Sequence, residues 1–192
     1  PMRSVEEAVV AVGRVASAAS GLEGPLRVTS PETFGIHYLA PRLARFGQAH
    51  PGLTLELAAG GEVLDLSRRD ADVAVRFFRS KPQDLAVRRV AVVGYGLYAS
   101  PAYLAGRPVR GPSDLQNHRL LSTPAASAST EGRWLQRLSP GARPSFVSDL
   151  SMVLMAAAGA DAGIAPLPRY LGDANPALLR LPMPEPPTHV VW

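Results

Sequence analysis

The stretch GPLRVTSPETFGIHYLAPRLARF, residues 24–46, combines a short strand, a polar turn and an amphipathic helix. Leu26 and Val28 alternate with polar neighbours, which is the period of a strand with one buried face. Apolar residues then recur near helical spacing, at Phe34, Leu39, Leu43 and Phe46. Ser30 and Thr33 lie between the two patterns, where turn and N-cap residues are expected. Because a helix N-terminus presents free backbone N–H groups, this turn predicts a cradle for a carboxylate.

The same alternation continues along the first half of the chain. Strands are predicted at 53–57 and 72–77, with a short helix at 62–69 between them. This order predicts a parallel sheet with right-handed crossovers, which binds ligands beyond the carboxyl ends of its strands. Arg76 lies at such an end, and an arginine can pair bidentately with a carboxylate.

The second half of the chain contains shorter elements and two glycines suited to a hinge. Residues 85–100 predict either a strand pair or one long strand, and Gly94 and Gly96 within them absorb backbone rotation at low steric cost. Gly163, in the segment that returns the chain to the first half, is a third hinge candidate. The remaining predictions are helices at 101–105, 112–116 and 149–158, a loop at 125–132, and strands at 119–122, 133–138, 145–148, 178–181 and 190–192.

Four polar residues of the second half complete the candidate ligand site. Ser122 and Thr123 end a predicted strand, and Ser148 or Asp149 is expected to cap the helix that follows another strand. Hydroxyl groups at such turns can satisfy the lone pairs of an anion held by an arginine. Asp149 would repel an anion if it faced the ligand, so either it points to solvent or the ligand is not simply anionic.

Several phrases, taken in order, resemble the effector-binding domain of LysR-type transcriptional regulators. They are GPLRVTSPETFGIHYLAPRLARFGQAHPGLTLEL, DADVAVRF, GLYASPAYLAGRP with PSDLQNHRLL, and GADAGIAPLP, and the resemblance covers about residues 4–192. It implies an α/β fold of two lobes, similar to type II periplasmic binding proteins, with a mainly parallel sheet and flanking helices in each lobe. We accordingly expect a linker or dimerisation helix at 1–23, lobe I at 24–97 and 166–192, and lobe II at 98–165.

The resemblance also implies a function. Such a domain binds a small, often anionic metabolite in the cleft between its lobes, through positions that match Ser30, Thr33, Ser122 and Thr123 here. It relays binding to an N-terminal helix-turn-helix that this sequence does not contain, and it forms homodimers or higher oligomers. The small apolar stripe of the predicted helix at 4–19 either pairs with a second copy or folds back on its own domain.

Composition and motifs exclude several other classes. The chain has no cysteine, its four histidines lack metal-ligand spacing, and no hydrolase motif occurs, so no metal, cofactor or enzymatic activity is predicted. Residues 94–99 match Gly-x-Gly-x-x-Ala, but Pro101 falls where the dinucleotide-binding helix should run. The net charge of +4 is spread along the chain, which predicts weak DNA binding by this chain alone.

No apolar run has the length of a membrane helix and no signal peptide is recognisable, so a soluble, cytoplasmic protein is expected. The alternative function is a solute-binding protein of a transporter, which shares the architecture but is monomeric and exported. An enzyme on the same fold is the third hypothesis, and it would need a convergent acid, base or nucleophile.

Overall fold

The computed structural model describes residues 23–60, 71–79, 86–124 and 129–192. Its internal contacts divide the chain into two compact units, 1–92 with 189–192 and 93–188. The helices predicted at 4–19 and 62–69 lie outside the described residues.

Short strands and helices alternate along the described chain. The strands are β1 (Gly24–Ser30), β2 (Leu53–Ala59), β3 (Val73–Ala74), β4 (Ala91–Ala99), β5 (Leu121–Ser122), β6 (Phe146–Val147), β7 (Ala165–Pro168), β8 (Leu179–Arg180) and β9 (Thr188–Val191). The helical segments are α1 (Glu32–Phe34), a π-helical segment (Gly35–Leu39), α2 (Ala40–Ala49), α3 (Pro101–Leu104), a 3-10 helix (Pro112–Asn117), α4 (Thr130–Leu138), α5 (Ser151–Gly159) and α6 (Arg169–Gly172).

The sheet of the first unit is parallel, as predicted, with β1 in the centre and the order β2-β1-β3. All seven residues of β1 pair with β2, and Val28 and Thr29 also pair with β3. Leu26 and Val28 are buried, because a strand with neighbours on both sides directs its apolar side chains into the core.

The predicted helix after β1 is present but is interrupted by a π-helical segment. The Ala40 N–H donates to the Gly35 carbonyl, five residues earlier, in place of the usual four-residue spacing. Pro41 explains the position of this wide turn, because proline has no N–H and its ring clashes with the carbonyl four residues before it. A π turn relieves that clash and lets the chain continue into α2.

The second unit combines antiparallel and parallel pairing. Strand β4 is one continuous strand and pairs antiparallel with β7 and β8, whereas β5 and β6 are parallel. Two buried apolar clusters surround these strands, and their largest members are Trp134, Tyr98 and Leu97.

The prediction of a strand at 133–138 and a loop at 125–132 was wrong where the structure describes these residues. Helix α4 begins at Thr130, and the Ser129 hydroxyl caps it by accepting a hydrogen bond from the Gly132 N–H at 2.9 Å. Trp134 and Leu135 are buried in the adjoining core, and their burial fixes the helix. The Ser-Thr-Glu start is a helix N-terminal signal that the loop assignment missed.

The unit boundaries lie at 92/93 and 188/189, whereas the sequence predicted a second lobe from 98 to 165. Strands β7 and β8 account for the difference, because both pair with β4 inside the second unit. Residues 166–188 therefore belong to the second unit together with most of β4.

Tyr98 lies in the buried core of the second unit. It is fully buried, and its hydroxyl donates to Asp173 Oδ1 at 2.8 Å. Arg180 Nη1 pairs with the same carboxylate at 2.9 Å. Gly172 lies against the Tyr98 ring, where an added Cβ would come within 2.3 Å of Cζ.

The substitution Gly172→Ala is predicted to destabilise the protein by about 1–3 kcal/mol, because the ring of Tyr98 has no space to move in a packed core. The free energy of unfolding in urea measures the effect. The matched control is Gly159→Ala at the end of α5, where an added Cβ meets nothing within 4 Å. This control should be neutral or up to about 1 kcal/mol more stable. Equal stability of the two variants would contradict the packing described for Tyr98.

Candidate functional site

In the first unit, polar residues meet at the carboxyl ends of β1 and β3. Arg76 Nη2 donates to Thr29 Oγ1 at 3.2 Å, and Arg76 Nη1 donates to the Val75 carbonyl at 2.9 Å. Ser30 follows Thr29 directly and is fully buried. The parallel sheet thus brings the predicted residues Ser30 and Arg76 to one edge, as the strand order required.

Arg76 is an unusual group for a protein interior. Its exposed fraction is only 9%, and burial lowers the pKa of its guanidinium. Within the described residues no carboxylate lies within ion-pair distance of it. Among the described residues, its guanidinium donates to one hydroxyl and one carbonyl.

The turn after β1 differs from the predicted capping arrangement. Pro31 occupies the N-cap of α1, and its side chain cannot accept a capping hydrogen bond. The Ser30 hydroxyl instead donates to the Pro31 carbonyl at 3.2 Å. Thr33 lies inside α1 and is half-buried. Ser30 and Thr33 therefore do not satisfy the first N–H groups of the helix, which corrects the prediction.

The absence of a side chain at Gly35 leaves the space that the Ser30 hydroxyl occupies. A Cβ at Gly35 would lie 2.5 Å from Ser30 Oγ and 2.7 Å from the Ala59 side chain, so no larger residue fits there without displacing them. Sequence reasoning missed Gly35 and also the pairing of Thr29 with Arg76. The sequence signal for Thr29 is its position at the end of β1, directly before Ser30.

In the second unit, the predicted polar residues lie at the ends of the parallel pair β5 and β6. Ser122 ends β5 and Thr123 follows it, and the Ser148 N–H donates to the Ser122 carbonyl at 3.1 Å. The hydroxyls of Ser122 and Thr123 are buried, and neither has a hydrogen-bond partner within the part of the chain that is described. Since an unsatisfied buried hydroxyl is costly, both are available to an added ligand or water.

The start of α5 also differs from the prediction. Leu150 is the N-cap, so neither Ser148 nor Asp149 occupies that position. The Ser148 hydroxyl still accepts from the Leu150 N–H at 3.2 Å, which is a local turn contact before the helix. Asp149 is exposed, so water can solvate its carboxylate.

The three hinge candidates have different surroundings. Gly94 and Gly96 lie within the continuous strand β4. Gly163 has φ of 151°, and an added Cβ would lie 2.4 Å from the Arg119 carbonyl oxygen. Close backbone packing thus explains the glycine at 163, and the hinge role of all three stays a prediction.

Two negative findings apply to the described ranges alone. No group of three or more histidine, aspartate or glutamate side chains there is arranged to hold a metal ion. Every helix within those ranges is too short or too polar to span a bilayer.

The geometry defines a class: a two-unit α/β protein whose polar side chains, in each unit, follow the carboxyl ends of parallel strands. Residues 19–192 match the family described as the LysR substrate binding domain. This protein therefore belongs to the LysR substrate-binding domain family, and the predicted membership is confirmed.

Curated relatives are named as transcriptional regulators. An HTH-type transcriptional regulator of Xanthomonas campestris pv. campestris (strain 8004) is 35% identical over 141 residues, which is 72% of this chain and 40% of that protein. The glycine cleavage system transcriptional activator of Escherichia coli (strain K12) is 34% identical over 104 residues, 54% of this chain and 34% of that protein. The chain thus spans less than half the length of these relatives.

Solved structures give the same fold. The regulatory domain of CrgA, a LysR-type transcriptional regulator from Neisseria meningitidis, aligns with a TM-score of 0.69 at 24% identity, covering 88% of this chain and 89% of that one. The effector domain of AmpR from Pseudomonas aeruginosa aligns with a TM-score of 0.69 at 25% identity, covering 88% and 83%. The predicted type II periplasmic-binding-protein-like fold is confirmed.

Replacing Ser122 by alanine is predicted to leave the ligand-free protein as stable as before, or up to about 1 kcal/mol more stable, because an unsatisfied buried hydroxyl is removed. Ser100 is the matched control, since it is also buried but caps α3 by accepting from the Tyr103 N–H at 3.0 Å and donates to Asp161. Ser100→Ala should cost about 1–2 kcal/mol. Urea denaturation compares the two, and a large loss for Ser122→Ala would contradict the assignment of a free hydroxyl.

Proposed function

We propose that this chain is the effector-sensing domain of a longer LysR-type transcriptional regulator, and that the polar residues at its strand ends bind the effector. The observation that carries the proposal is the pair of buried hydroxyls, on Ser122 and Thr123, that lack a partner within the described residues. Hydroxyls in a small-molecule site are commonly left for the ligand to satisfy. The proposed contacts are Ser30, Thr33, Arg76, Ser122, Thr123, Ser148 and Asp149.

The comparisons favour a regulator over the alternatives. The relative that matches over 72% of the chain is named a transcriptional regulator. This supports a regulator over the alternative hypothesis of a solute-binding protein of a transporter. The proposal includes the absence of enzymatic turnover, a cytoplasmic location and DNA binding through a helix-turn-helix elsewhere in the intact protein. Homodimerisation, or assembly into a higher oligomer, is part of the same proposal. The expected position of the effector, in the cleft between the lobes, stays a prediction.

A modest coupling free energy suffices for regulation. An effector that binds one conformation about tenfold better than another shifts their equilibrium by about 1.4 kcal/mol. In the first unit the Arg76 N–H donates to the Trp192 carbonyl at 3.0 Å, and the Trp192 N–H donates back at 2.9 Å. The proposed anion contact therefore lies on a residue whose backbone is paired with the residue that follows β9.

The test uses the intact gene product and its own promoter. Thermal shift of this domain against a metabolite library selects a stabilising compound, and fluorescence anisotropy then measures DNA affinity with and without that compound. We expect the compound to change the DNA affinity at least about fivefold. The combined substitution of Ser122→Ala and Thr123→Val should abolish this response and leave ligand-free DNA binding intact.

Ser113→Ala is the matched control, since Ser113 is exposed in the same unit and should keep the full response. Chemical conversion of the compound by the protein would instead indicate an enzyme. A compound that binds through Ser122 and Thr123 without changing DNA affinity would contradict the regulatory role.

A further inference from the structure

The burial of Arg76 identifies the chemical class of the effector, an inference that rests on the proposed function. We infer that the effector carries a single carboxylate and that Arg76 binds it. Among the described residues Arg76 is the one charged side chain that is buried. A buried charge is expensive unless an opposite charge accompanies it.

Other arginines of the chain show the opposite arrangement. Arg27 pairs with Glu56 at 2.9 Å, and Arg180 pairs with Asp173 at 2.9 Å, although all four side chains are about half exposed. Exposed pairs of this kind contribute little to stability. The chain thus has carboxylates next to exposed arginines, whereas the buried one has none among the described residues. This distribution is expected when a ligand supplies the missing charge.

The hydrogen-bonding capacity of Arg76 fits the same conclusion. A guanidinium has five N–H donors in a planar fork. Two described acceptors, the Val75 carbonyl and the Thr29 hydroxyl, use one donor each. The remaining donors match the two oxygens of a carboxylate, which arginine binds in parallel.

One buried positive charge favours a monoanion over a phosphate. A carboxylate neutralises the guanidinium, whereas a phosphate monoester brings up to two negative charges against it. The nearby hydroxyls of Thr29 and Ser30 are neutral and compensate no further charge. A carboxylate is therefore the better match.

Thermal unfolding of this 192-residue chain, at constant ionic strength, tests the inference with matched acids and amides. The pairs are acetate with acetamide, benzoate with benzamide, and salicylate with salicylamide, and inorganic phosphate is a separate arm. At about 100 times its Kd, a bound acid should raise the midpoint by about 5–10 °C. Its amide should have a much smaller effect, because it cannot neutralise Arg76.

Arg76→Gln should remove the difference between acid and amide, and weaken acid binding about 10- to 100-fold. Without ligand, its midpoint should not fall below that of the wild type, because an uncompensated buried charge is removed. Arg45→Gln, at an exposed position in α2, is the matched control and should keep the difference. It also corrects for general effects of the anions on stability.

If Arg76→Gln does not fold, Arg76→Lys decides, since lysine keeps the charge but lacks the planar fork. The difference between acid and amide must then shrink by about tenfold in Kd. Equal stabilisation by acid and amide in the wild type overturns the inference, as does an undiminished difference in the Arg76 variants. Stronger Arg76-dependent binding of phosphate than of benzoate would also overturn it.

These failures differ from a failure of the proposed function. A neutral compound that acts through Ser122 and Thr123 and alters DNA affinity would support the regulatory function and contradict the inference of a carboxylate effector. Acid binding at Arg76 without any effect on DNA affinity would support the carboxylate site and contradict the regulatory function.

Discussion

The parallel pairing of β1 with strands on both sides is the constraint on which the first unit depends. Thr29 pairs with Ala58 in β2 and with Ala74 in β3, so the last residues of β1 are held from two directions. Because parallel strands end at the same edge of a sheet, Thr29 and Arg76 meet there although they are far apart in sequence. The hydrogen bond between them joins residues 47 positions apart.

The second unit contains a smaller parallel strand pair that is also followed by polar residues. Only two residues of β5 pair with two of β6, yet the pairing is parallel and the next residue of each strand is polar. The Ser148 N–H completes the ladder by donating to the Ser122 carbonyl, which satisfies the backbone of Ser122. Within the described ranges, the side-chain hydroxyls of Ser122 and Thr123 have no hydrogen-bond partner. In both units, therefore, backbone pairing positions polar side chains that the described fold itself satisfies only in part.

Periodicity in the sequence predicted the elements whose burial is one-sided. Leu26 and Val28 alternate cleanly, and β1 was found where the pattern placed it. The prediction of a strand at 133–138 was wrong, because Trp134 and Leu135 are adjacent and fit neither the strand period nor the helix period over so short a run. Their burial in the core, which only the tertiary structure determines, makes the segment helical.

The sequence proposes members of the candidate site, and the structure adds the contacts that those residues make. Residue type and position at a strand end indicated Arg76, Ser122 and Thr123 from the sequence alone. The corrected capping roles of Thr33 and Asp149 have a common cause: helix boundaries shift by one or two residues, and a cap depends on the exact position. Likewise, the steric demand on Gly35 arises from Ser30 and from Ala59 on the neighbouring strand, and no local pattern reveals the contact with Ala59.

The charge at Arg76 connects stability with sensing. A protein selected for stability alone would pair or replace a buried arginine, because neutral residues of similar volume avoid the desolvation cost. Retaining the charge makes the ligand-free first unit less stable than it could be, and the same cost is recovered as binding free energy when an anion arrives. The backbone of Arg76 is also paired with that of Trp192, just beyond β9, by two hydrogen bonds. The backbone beside the proposed anion contact is therefore fixed by the fold, and the guanidinium is the part of the residue left for a ligand.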